Sequence, residues 1–171
     1  MRRILLLAVL IVSAATASFA QTSKSSSSSS GKFSIGIDPG LPVGSASDYS
    51  SFAIGGDLKY SIPAAENFDV SLSAGYSVFL GKTIDSFKLP NIKGIPVKLA
   101  GRYNFNGPVG FFGEFGVGAA FIQDGGGTAF VYAPGIGYAA DGGFEAGIRY
   151  EGWSKNGTIS QIALRLAYSF Q

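Results

Sequence analysis

The chain has 171 residues, no cysteine, no histidine and a formal net charge of +2. The missing cysteine excludes a disulfide framework and a lipid-attachment site. The missing histidine excludes zinc sites of the usual kind and histidine-based triads.

The first residues read as a targeting segment. Arg2 and Arg3 precede the apolar run Ile4 to Val12, and Ser18-Phe19-Ala20 has the small-x-small form of a cleavage site. The run is too short to span a bilayer, so residues 1–20 are expected to be a signal peptide cut between Ala20 and Gln21. Taking Arg2 and Arg3 from the 13 basic residues leaves 11 against 11 acidic ones, a neutral mature chain. A nucleic-acid partner would call for a basic excess, so none is expected. Residues 21–31 hold six consecutive serines, Ser25 to Ser30, and read as a flexible linker.

From Lys32 to the end the apolar residues alternate, the signature of strands. Eight runs carry it. The first has Phe33, Ile35 and Ile37. The second has Phe52, Ile54, Leu58, Tyr60 and Ile62, and the third runs on even numbers from Phe68 to Leu80. The fourth has Ile95, Val97, Leu99, Tyr103 and Phe105, and the fifth runs on odd numbers from Val109 to Phe121. The sixth has Phe130, Tyr132, Ile136 and Tyr138, the seventh Phe144, Ala146, Ile148 and Tyr150, and the eighth the even positions Ile162 to Phe170. Charges played no part in setting these frames, and they test them. Lys32, Asp38, Asp57, Lys59, Asp69, Lys98, Arg102, Glu114, Glu145, Arg149, Glu151 and Arg165 all fall on the opposite face. No strand charge is expected on the apolar face. A lysine or arginine facing lipid at mid-bilayer costs about 2–4 kcal/mol, and selection against that cost produces this separation. Only 14% of residues are charged while 13% are aromatic. A soluble domain carries about 25% charged residues, whereas a membrane barrel spreads its apolar surface through short strands.

The connections are read as alternating in length. Residues 39–51, 81–93, 123–129 and 154–160 form longer links, and 63–67, 106–108 and 141–143 form short turns. With both termini in the periplasm, eight strands give four outer loops and three inner turns. Aromatics beside the short turns, among them Tyr60, Phe68, Tyr103, Phe111, Tyr138, Phe144 and Tyr168, are expected to form one girdle. Phe52, Phe121 and Phe130 belong to a second. Pro96 and Pro134 lie inside the fourth and sixth runs, where each is expected to mark a bulge or a strand end. The sixth run alternates least, because its other face, Val131, Ala133, Gly135, Gly137 and Ala139, is itself small and apolar.

The pattern resembles the small outer-membrane barrels of the OmpA and OmpX type over roughly Gly31 to Gln171. The resemblance rests on the leader, the strand and loop count, and the terminal strand Ile162 to Phe170. It implies an all-β, eight-stranded, antiparallel up-and-down transmembrane barrel over residues 32–171 in a bacterial outer membrane. It also implies that the barrel-assembly machinery reads the C-terminal strand, and that lipid surrounds the monomer. Gln171 after Phe170 departs slightly from the family's terminal aromatic. The resemblance carries over no catalytic residue.

An eight-stranded barrel has an interior just wide enough for side chains. Six basic and six acidic inward residues are therefore expected to pair and plug it, with inward glycines such as Gly36, Gly118 and Gly147 giving room. A structural or surface-interaction role, with a partner at the outer loops, is the favoured reading. A narrow channel is the second, and a soluble ligand-binding barrel with the apolar face inside is the third. No enzyme, cofactor or metal site is expected. The carboxylates share one inward face without a distinguishing spacing, and Asp124-Gly125-Gly126-Gly127-Thr128 lacks the lysine and helix of a phosphate loop.

Overall fold

A computed structural model describes residues 31–84 and 86–170. The expected signal peptide, its Ala20–Gln21 junction and all of the linker but Gly31 lie outside the described residues. The strands are β1 (Lys32–Val43), β2 (Ser50–Ala65), β3 (Phe68–Gly81), β4 (Thr83–Ile84), β5 (Phe87–Lys88), β6 (Ile92–Asn104), β7 (Gly110–Ile122), β8 (Gly127–Ala139), β9 (Phe144–Ser154) and β10 (Thr158–Phe170). One short helix, α1 (Ala46–Tyr49), joins β1 to β2.

The eight long strands close into a barrel in the order β1-β10-β9-β8-β7-β6-β3-β2. All neighbours are antiparallel, and closure brings the first strand against the last, with Phe33 opposite Phe170 and Val43 opposite Ser160. Closure gives every strand two neighbours, which a spanning sheet needs where no water can satisfy an edge. The long strands run from 11 residues in β9 to 16 in β2, and about 9–11 tilted residues cross a bilayer.

The predicted frames hold in three dimensions. Ile35 and Ile37 turn outward with about half their surface exposed, while Ser34 and Asp38 on either side of them are buried, at 3% exposure each. The apolar face is outside, which overturns the soluble-carrier alternative. One charge departs from the expected separation. β6 begins at Ile92, which puts Lys93 opposite Val78 on the outward face. It sits at the loop end of the strand, where a lysine stem lies along apolar surface and its ammonium reaches the head groups.

The prolines mark neither bulges nor strand ends. Pro134 pairs in register with Phe115 of β7, but the β8–β9 ladder is interrupted between Tyr132–Gly152 and Gly135–Arg149 with its register unchanged. Pro96 does the same against β3, between Ala74–Val97 and Ser77–Gly94, and Pro39 against β10, between Ile37–Leu166 and Gly40–Ala163. In each case the ring replaces one ladder N–H toward one neighbour, and the strand runs on. The register shifts of β2 lie at its two ends, at Ser50/Phe52 and Pro63/Ala65.

The links are shorter than the sequence suggested. β1 continues through Pro39-Gly40 to Val43, leaving 44–49, and the other loop-end links are 82–91, 123–126 and 155–157. The last two are no longer than the turns 105–109 and 140–143 at the opposite end. Link 82–91 folds into the β4–β5 ribbon. It is tied to its neighbour by Lys82 N–H donating to Tyr49 O at 2.9 Å.

At the end bearing the termini the aromatics form a belt. Phe33 meets Tyr60 at 4.7 Å between ring centroids, Tyr103 meets Phe105 at 5.4 Å, Phe111 meets Tyr138 at 5.2 Å, and Tyr168 lies between Phe144 and Phe170 at 5.0 and 5.1 Å. Phe121 and Phe130 face outward near the loop end, with Phe130 stacked on Tyr132.

The lumen as candidate functional site

Period-two alternation sends every second side chain of eight strands into one narrow space, so the inward residues meet across the barrel. Lys59 of β2 reaches Glu114 of β7 at 2.8 Å, and Lys98 of β6 reaches Glu151 of β9. Arg102 of β6 pairs with Glu145 of β9 at 2.7 Å. Arg149 Nη2 lies 3.0 Å from Asp38 and 3.4 Å from Glu151, and Arg149 Nη1 lies 3.7 Å from Asp57. Asp57 also takes Arg165 at 3.0 Å. Five basic residues (Lys59, Lys98, Arg102, Arg149, Arg165) thus meet five acidic ones (Asp38, Asp57, Glu114, Glu145, Glu151).

The other two predicted lumen charges stand apart. Asp69 joins through Asn104, whose Nδ2 donates to Asp69 Oδ2 at 2.8 Å while its Oδ1 accepts from Arg102 Nε at 2.8 Å. Lys32 is a correction. It starts β1, lies exposed at the rim, and has no ion-pair partner among the described residues.

Packing makes room for this layer. A Cβ on Gly36 would collide with the Arg165 guanidinium, so only glycine leaves that arginine its place. The Arg102 guanidinium carbon lies 3.7 Å from the Phe112 ring centroid, a cation–π contact.

A second layer was not singled out in the sequence. At the loop end Phe79 and Trp153 are buried at 0% and 1%, with ring centroids 5.3 Å apart and edge-to-face. Ala53, Ala120, Ala129 and Val131 complete the cluster, and Ile92, Ile122 and Ile159 pack against it. The small apolar inner face of β8 is one wall of this cap. Gly94 lies under the Trp153 ring, where a Cβ would come within 2.7 Å. The signal available was parity: Phe79 and Trp153 fall on the charged face of their strands.

A hollow of about 490 Å³ opens at the terminal end, lined by Lys32, Glu66, Asp69 and Asn104 among others. One of about 510 Å³ opens at the loop end over Ile92, Ile122, Ile159 and Trp153. A small hollow of about 20 Å³ is lined by Glu114, Glu145, Arg149 and Arg165 of the ion-pair layer and by Ile136 and Ile148 of the β8–β9 wall.

The profile of the outer membrane protein beta-barrel domain matches residues 4–170. The chain belongs to that family. This outer-membrane barrel is similar to Ail of Yersinia pestis in a phospholipid bilayer nanodisc. The identity is 18% and the TM-score 0.60, covering 82% of this chain and 100% of Ail. It is also similar to the N-terminal barrel domain of Pseudomonas aeruginosa OprF, at 17% identity and TM-score 0.52 over 82% and 97%. A de novo designed transmembrane barrel matches at 12% identity and TM-score 0.53 over 81% and 95%. No curated protein matches the sequence. These likenesses carry the fold. The protein resides in the bacterial outer membrane.

Proposed function

We propose that this outer-membrane barrel is a non-enzymatic monomer with a closed lumen, acting structurally and through contacts at its outer surface. The observation that carries the closed lumen is the balanced set of five and five inward charges, buried beneath the Phe79–Trp153 cap. A selective pore would carry a field of one sign, and here the lining neutralises itself. Buried ion pairs are held by neighbours on six strands, β1, β2, β6, β7, β9 and β10, so opening a path would break several at once.

The surface role is assigned to the first two outer links. Tyr49, Ile84 and Phe87 are exposed at 59%, 47% and 69%. Ile84 pairs with Phe87 across the ribbon, beside Lys88. Ail has been described in complex with the heparin analogue sucrose octasulfate. In this chain Lys82 and Lys155 are held by the main-chain carbonyls of Ser47 at 2.5 Å and Gly126 at 2.6 Å. We therefore place the contact on the apolar ribbon rather than on a lysine cluster. Insertion through the barrel-assembly machinery is supported by the unbroken alternation of β10 to Phe170, and export by the leader 1–20.

Liposome swelling tests the closed lumen. Vesicles holding the folded protein are expected to resist swelling in small sugars as empty vesicles do. Swelling above that level restores the narrow-channel reading.

A further inference from the structure

Every pair of neighbouring barrel strands but one is joined by a link of the chain. The exception is the seam, where β1 meets β10. No turn tethers these two strands, so the seam depends on what passes between them. Its ladder is also the one that Pro39 interrupts. Register pairing stops at Ile37–Leu166 and resumes at Gly40–Ala163. The gap leaves Asp38 and Pro39 of β1, and Leu164 and Arg165 of β10, without ladder partners across the seam.

The two charged residues of this gap, Asp38 and Arg165, both point inward. Arg149 of β9 reaches past β10 to Asp38 of β1 at 3.0 Å. Arg165 of β10 reaches past β1 to Asp57 of β2 at 3.0 Å. The two bonds cross, each fastening one seam strand to the strand behind the other. Arg149 also lies 3.7 Å from Asp57 and ties the two arms together. All four side chains are buried. The Arg165 guanidinium rests against Gly36 of β1, where a Cβ would displace it. The other ladder gaps lack this arrangement. At Pro96 the unpaired positions are Gly75 and Tyr76 against Ile95 and Pro96, none of them charged. At Pro134 the only charge is Glu151 on β9, against Ala133 of β8. The remaining ion pairs, Lys59–Glu114, Lys98–Glu151 and Arg102–Glu145, bind neither β1 nor β10.

We propose that the crossed pairs Asp38–Arg149 and Arg165–Asp57 form a latch that keeps the β1–β10 seam shut where Pro39 has removed a ladder contact. Opening the seam parts both pairs at once and leaves two strand edges facing lipid, where nothing satisfies them. The inference goes beyond the closed-lumen reading, because the seam must hold whether or not the lumen conducts.

Native-state amide exchange of the folded protein in micelles tests it. Asp57→Asn with Arg165→Met removes one arm and keeps the lumen neutral, and Arg149 retains Asp38 and Glu151. Lys59→Met with Glu114→Gln is the control, since that pair binds neither seam strand. In the first variant the amides pairing β1 with β10 are expected to exchange about tenfold faster through local opening, while those of the unbroken β7–β8 ladder keep their rates. The control is expected to show no rise confined to the seam. An unchanged seam in the first variant overturns the proposal. So does an equal rise at the β7–β8 ladder, or the same seam rise in the control. Gly36→Ala gives an independent reading, because it keeps every charge and moves the Arg165 guanidinium from its seat. It is expected to speed exchange at the seam selectively, and a seam that exchanges as in the parent overturns the proposal even where the double variant does not fold.

Discussion

Trp153 donates its indole Nε1–H to Glu151 Oε1 at 2.9 Å, and Glu151 through its other oxygen holds Lys98 and Arg149. One carboxylate therefore fastens the apolar cap to the ion-pair layer. The two residues are next-but-one neighbours on β9, and both point inward because the strand alternates.

Removing that carboxylate leaves Lys98 without its partner. Glu151→Leu is expected to destabilise the barrel by about 3–5 kcal/mol, since breaking a buried pair strands the remaining charge. Adding Lys98→Met is expected to recover most of the loss. Urea unfolding in detergent, followed by the mobility shift between unboiled and boiled protein, measures both. A double variant no more stable than the single one would remove Lys98 from the hub.

Trp153→Ala empties the cap. The expected cost is about 3–5 kcal/mol, the range for large aromatic truncations in a packed core. Glu151 loses its indole donor but keeps Lys98 and Arg149, so the ion pairs stay and the variant is expected to remain non-conducting. Conductance from this single change would show that the cap alone seals the lumen.

Pro134 interrupts the ladder to β9 without moving its register. Pro134→Val supplies the missing donor and keeps an apolar side chain toward lipid. A gain of about 1 kcal/mol is expected, with a protected amide at the new valine and slower exchange around Tyr150. A loss of stability would mean that the backbone there is shaped for the ring.

The ribbon variant Ile84→Ser with Phe87→Ser touches no described core contact. Its stability is expected to stay within about 0.5 kcal/mol of the parent. Pull-down of surface partners from intact cells is expected to fall to background. Undiminished capture would move the contact elsewhere on the outer face.

The barrel itself was legible because lipid and a narrow lumen impose opposite chemistry on alternate residues. Asp57, Lys59, Lys98 and Arg165 had to share a face whatever their partners were. Who pairs with whom was not legible, since it depends on shear: Lys59 meets Glu114, 55 residues away. The cap was missed because an inward Phe79 or Trp153 reads like any other barrel aromatic unless its parity is followed past the last charge. Pro39-Gly40 looked like the start of a loop because turn chemistry and a tolerated ladder gap use the same residues. Lys32 had the right parity and the wrong place, since parity does not tell where the barrel ends.

Planar-bilayer recording of the refolded protein tests the closed lumen most directly. The account predicts no unitary conductance steps above the bare membrane. Reproducible single-channel steps from the unaltered protein would contradict it.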